Sequence, residues 1–179
     1  MTPSSNQEST NISQRFRSAA DWFTSTEQGG IHTFHIGATS ERAVDLMHVL
    51  SAHFPERAKV AVTSWRDRKS WCSDDCARGD IRDILARLKL LLAGYGGVEI
   101  SVFNDADQLT LTPELQLIVY SRSDVWRERL LKMGLERRKA PPIAVWCPSR
   151  TDLRAAPELT DSLALSVRRL ELKAVEFEE

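Results

Sequence analysis

Cysteine is scarce in this chain, and that scarcity excludes a disulfide scaffold: three thiols, Cys72, Cys76 and Cys147, among 179 residues cannot staple a small domain together. Long apolar runs are missing too. No stretch approaches the roughly 20 consecutive apolar residues that a membrane helix needs, and the polar start of the chain has no apolar leader core. A dominant charge sign is also lacking. The chain holds 24 basic and 25 acidic residues, a net charge of −1, which removes any global attraction to nucleic acid or to an anionic membrane. Signature motifs are absent as well: there is no Walker lysine, no GxGxxG, no HExxH pair and no nucleophile elbow. No motif implies a cofactor.

What is present is ordinary globular material. Hydrophobic residues make up 42% and charged residues 27%, so disorder of the whole chain is excluded and one core of good size is expected. Residues 1–11 read as a disordered polar tail and 12–179 as a single soluble, cytoplasmic domain.

The clearest stretch is 98–135. Val98, Ile100 and Val102 alternate with polar or exposed positions, Asn104-Asp105-Ala106-Asp107 makes a turn, and Leu109 and Leu111 alternate again. Thr112-Pro113-Glu114 breaks the chain, Leu115, Leu117 and Val119 alternate, and Ser123-Asp124 opens a helix. This is an antiparallel meander followed by a helix.

Before it, Ile12, Phe16, Ala19 and Phe23 recur at helical spacing, which predicts an amphipathic helix over 12–25 ended by Gly29-Gly30. Residues 31–36 read as a strand. Thr39-Ser40-Glu41 starts a helix with Ala43, Val44, Met47, Leu50 and Phe54 inward, and 59–64 is a second strand. A crossover of that length predicts a parallel strand–helix–strand unit. Residues 65–78 are charged and aperiodic and read as a long loop. Asp80 reads as an N-cap to a core helix over 81–93. A strand is expected at 143–147, and the Leu159, Leu163, Val167, Leu170, Ala174, Phe177 spacing predicts a helix through the C-terminal stretch. The fold class is α+β: one domain, a mixed sheet of about six strands with a parallel half and an antiparallel meander, and helices packed against it.

Several residue groups have chemistry to offer. Cys72-Ser-Asp-Asp-Cys76 lacks the second ligand pair of a zinc site and reads as two structural thiols, so no metal is expected. His32, His35, His48 and His53 share no productive spacing, and Asp105 and Asp107 suit a hairpin tip better than a cation. In a parallel unit, Gly37, Thr39 and Ser40 would lie beside Ser64 and Arg66, where first-turn amides and a guanidinium bind anions. Trp65, Arg66, Arg68, Lys69 and Trp71 combine the side chains that dominate binding hot spots. Arg137-Arg138-Lys139 suits a helix end.

The preferred reading is a non-catalytic interaction or regulatory module that binds a protein partner through 65–78, with the N-terminal helix as a second contact. The alternatives are a small enzyme or anion-binding protein at the first two strand ends, and a nucleic-acid accessory protein stacking bases on the loop tryptophans. The sequence decides neither catalysis nor oligomeric state.

Overall fold

In the computed structural model the described residues are 21–140 and 153–177. Thr24 and Thr26 suit extended backbone, and β1 (Trp22–Gln28) pairs antiparallel with β2 (Ile31–Gly37). Gly29 and Gly30 join them at φ of 58° and 77°, the left-handed pair that a two-residue hairpin turn requires. The glycines therefore end a strand. The part of the expected 12–25 helix that is described is β1, while 12–20 lies outside the described residues.

Helix α1 (Ser40–Leu50) buries Ala43, Val44, Leu46, Met47 and Leu50, and a short 3-10 turn, Ser51–His53, hands the chain to β3 (Arg57–Ser64). Thr39 is its N-cap by backbone geometry, although its hydroxyl makes no capping bond.

The expected loop at 65–78 is a short tip and a strand, β4 (Lys69–Ala77), paired along β3. The register shifts between Ala58 and Val60: Ala58 faces Cys76, and Val60 faces Ser73. One extra β4 residue is accommodated there as a β-bulge, which breaks the period of two and hides the strand from pattern reading.

Helix α2 (Arg78–Tyr95) begins just before Asp80, which lies in its first turn, and buries Ile81, Ile84, Leu85, Leu88 and Leu92. The meander follows as β5 (Val98–Phe103), β6 (Asp107–Leu111) and β7 (Leu117–Ser121), with Val102 facing Leu109 and Leu109 facing Val119. Helix α3 (Val125–Lys132) ends on Gly134, and β8 (Glu136–Arg137) runs beside β1.

The chain re-enters the described residues before α4 (Pro157–Arg169) and closes with β9 (Lys173–Val175) beside β4. The expected C-terminal helix is present up to Arg169. Beyond it Glu171 sits at φ 53°, Leu172 N–H bonds Val167 O at 2.9 Å and Glu171 N–H bonds Arg168 O at 3.1 Å. These are the two bonds of a Schellman stop, here made without glycine. The expected strand at 143–147 lies outside the described residues.

The result is an α+β domain with a mixed sheet and helices against it, but with nine strands among the described residues, in the order β8-β1-β2-β7-β6-β5-β3-β4-β9. Among the described residues pairing is antiparallel except for β1 with β8. β2 and β3 do point the same way, yet β7, β6 and β5 stand between them, so the expected parallel neighbours never touch. Short turns let the meander strands pair with each other, and α1 carries the chain past the space they fill.

All four helices of the described residues cover one sheet face, where Phe34, Val119, Leu109, Val102 and Val60 lie in register. On the other face one row across the sheet reads Thr24, His35, Ile118, Thr110, Ser101, Ala61, Cys72 and Lys173. No helix of the described residues is long and apolar enough to cross a membrane.

Gly37 has a packing role at the edge of this sheet. It faces Trp22 across the β1–β2 pair, and a Cβ there would fall inside the indole. Arg138 covers the same indole, with its guanidinium carbon 5.8 Å from the ring centre. Gly37→Val should therefore cost about 2 kcal/mol through overpacking. Urea unfolding checks this, and adding Trp22→Ala should recover part of the loss.

Candidate functional site

Trp65, Arg66, Asp67 and Arg68 form the tip of the β3–β4 hairpin, and the fold uses most of their chemistry internally. Trp65 N–H donates to Gly97 O at 3.0 Å, and its ring meets Phe177 edge-on at 5.4 Å. Arg66 donates to Tyr95 O at 3.1 Å, Gly96 O at 3.2 Å and Arg154 O at 2.5 Å. Its guanidinium thereby satisfies carbonyls at the C-terminal end of α2, where helix partial charge favours a cation. Asp67 accepts from Ser64 Oγ at 2.8 Å and from Thr160 Oγ1 at 3.1 Å. The tip is thus tied to the end of α2 through Tyr95 and Gly96, to Arg154 just before α4, 88 positions away, and to Thr160 in α4, 93 positions away.

The outward groups at the tip are Arg68 and Lys69, both exposed. Arg68 takes a left-handed φ of 51°, and its guanidinium carbon lies 5.6 Å from the Phe177 ring centre. Trp71 faces Val62 on β3 and Ala174 on β9, half-buried against the core on the helix side. The five residues expected to share one irregular loop are therefore divided. Trp65 and Arg68 meet Phe177 just after β9, Arg66 turns to the end of α2, Lys69 opens β4, and Trp71 packs inward.

The second expected group is not assembled. Gly37, Thr39 and Ser40 lie at the end of β2, Ser64 and Arg66 at the end of β3, with β7, β6 and β5 between. Four strand spacings put them roughly 19 Å apart. Ser64 is fully buried and bonded to Asp67.

The two described thiols lie on opposite sheet faces. Cys72 pairs with Ala61 on the face opposite the described helices, and Cys76 pairs with Ala58 in the core, donating to Leu170 O at 3.6 Å. Burial pushes the Cys76 thiol pKa up. Cys147 lies outside the described residues. Among the described residues no group of three or more His, Cys, Asp or Glu is placed to hold a metal ion.

Asp107 does more than the turn role expected of it. Asn104 makes the turn, its Oδ1 accepting the N–H groups of Ala106 and Asp107 at 2.8 Å each. Asp107 opens β6, and its Oδ1 accepts Ser121 Oγ at 2.6 Å and Trp126 Nε1 at 2.9 Å. One carboxylate thus joins β6, β7 and α3. No sequence signal marks this, because the donors sit 14 and 19 positions away.

His32 lies across from Ser121 on the helix face and His35 on the other, as their odd separation requires. His53 meets Trp126 edge-on at 5.8 Å. Burial, then the Arg129 charge, holds its pKa below 6.5; burial, then Arg82, does the same for His48. The chain matches no protein-family model, no curated protein and no solved structure.

Two outcomes follow from these contacts. Asp107→Ala leaves two buried donors without an acceptor and should cost about 3 kcal/mol in urea unfolding. Because His48 and His53 have depressed pKa values when folded, the unfolded chain binds protons first as pH falls through 6.5. Stability should then drop on acidification from the unfolded pKa down to the folded ones. Thermal unfolding across that window should slope less steeply for His48→Gln/His53→Gln than for the wild type.

Proposed function

We propose that this chain is a non-catalytic cytoplasmic module that binds a protein partner through the tip of the β3–β4 hairpin. The observation that carries this reading is the way the tip is held. Arg66 is fixed on three backbone carbonyls, Asp67 on Ser64 and Thr160, and Trp65 on Phe177. Those contacts leave Arg68 and Lys69 exposed on a short, constrained turn. A surface ordered before encounter loses little conformational entropy on binding, which favours affinity. Arginine and tryptophan are the side chains most often dominant in such contacts.

The test is Arg68→Glu/Lys69→Glu, which reverses charge without touching the bonds of Arg66 or Asp67. The variant should stay folded and lose no more than about 1 kcal/mol in urea unfolding, the size of the Arg68–Phe177 contact it removes. In quantitative mass spectrometry of proteins retained from the native cell, at least one should fall tenfold or more on the variant by the usual cost of a lost hot spot. An unchanged set of retained proteins defeats the assignment to this tip.

A further inference from the structure

Trp126 is fully buried, and its indole N–H is already taken by Asp107. Its ring is contacted by His53 and by Arg129, whose guanidinium carbon lies 4.7 Å from the ring centre. Beside this stack opens a cleft of about 380 Å³ lined by His53, Val125, Glu128, Arg129, Lys132 and Met133. Its lining is mostly apolar, and Val125 is 40% exposed beside it.

Arg129 lines the cleft and is not fully paired within the described residues. Arg129 Nη1 is buried and has no hydrogen-bond partner, whereas Arg127, outside the lining, pairs with Asp124 at 2.9 Å. A buried donor left unsatisfied is costly, and charged donors are the costliest. Glu128 is the acidic residue in the lining. It pairs with Lys132 at 3.9 Å on the exposed side, a weak surface contact. Residues 122–139 hold seven basic side chains (Arg122, Arg127, Arg129, Lys132, Arg137, Arg138, Lys139) and three acidic ones (Asp124, Glu128, Glu136), in a chain whose net charge is −1. At the cleft itself two basic side chains, Arg129 and Lys132, stand against the one carboxylate of Glu128.

We propose that this cleft docks an acidic segment of a protein partner, with a carboxylate meeting Arg129 and Lys132 and an adjacent apolar side chain seated against Val125 and Met133. The charge fixes the sign of the occupant, and the apolar lining calls for a hydrophobic side chain beside it. A free phosphate or a nucleic-acid backbone would leave that lining unused. The surface is distinct from the hairpin tip: His53 precedes β3, whereas the tip follows its last residue, Ser64.

A random heptapeptide display library selected on the immobilised protein, with counter-selection on Arg129→Met/Lys132→Glu, tests this. Peptides that depend on the cleft should carry Asp or Glu beside Leu, Ile, Met or Phe. The best of them, synthesised, should bind the double variant at least tenfold more weakly and lose affinity as salt rises. Val125→Glu, a change at an exposed position, should abolish binding independently if the double variant is poorly folded. Arg68→Glu/Lys69→Glu should leave peptide binding unchanged, which separates this site from the hairpin tip. Lack of enrichment, enrichment of basic or carboxylate-free peptides, or equal recovery on wild type and variants overturns the proposal.

Discussion

The placement of β7, β6 and β5 between β2 and β3 constrains everything else in this fold. An open sheet with neighbouring parallel strands creates a crevice where their carboxyl ends part, and ligands favour it. Here the strand ends flanking α1 are held apart by three antiparallel strands. The amides at the start of α1 and the guanidinium of Arg66 therefore serve different neighbourhoods. Arg66 turns instead to the end of α2, where the carbonyls of Tyr95 and Gly96 await a donor. The same insertion puts the most regular hydrophobic strands at the middle of the sheet, with apolar side chains of the meander under the helices.

A sheet covered by helices on one face must manage its other face and its edges. Across that other face hydroxyls satisfy one another: Ser101 with Thr110 at 2.8 Å, Thr63 with Ser70 at 3.0 Å, and Gln108 onto Thr110 at 3.0 Å. Ser101 and Thr110 are buried, and these bonds offset the loss of water. At the edges β8 and β9 are two and three residues long. The flank of β4 beyond β9 carries exposed Asp74 and Asp75 at the bulge. Short, charged and bulged edges resist pairing with other chains.

What could be read beforehand follows from the range of the interactions involved. The meander was legible because its pattern and turns are local, and Val98, Ile100, Val102, Leu109, Leu117 and Val119 are all buried. Helices α1, α2 and α3 were legible for the same reason. Strand β4 was not, since its bulge shifts the inward positions from Trp71 and Ser73 to Cys76. Strand β1 was misread because Phe23 sits at helical spacing from Phe16, while the Gly29-Gly30 pair suits a helix stop as well as a hairpin. The stop of α4 was hidden because Glu171, not glycine, takes its left-handed position. The roles of Arg66 and Asp107 depend on partners far along the chain, which no local pattern encodes.

The distribution of satisfied and unsatisfied charge separates groups that build this protein from groups left over for something else. Arg57 and Asp75 clasp across β3 and β4, Lys89 meets Asp45 at 2.8 Å, and Arg169 reaches Asp80 and Asp83. These pairs tie neighbouring elements, and each guanidinium or ammonium has its acceptor. Arg129 is different. It is stacked on a fully buried tryptophan, which restrains its guanidinium, yet one of its buried nitrogens has no acceptor. The stacking contact explains how the side chain is held and leaves that nitrogen unexplained. A carboxylate arriving in the cleft would meet a guanidinium that this stacking already holds in place, so the ordering cost on this side of the contact is small.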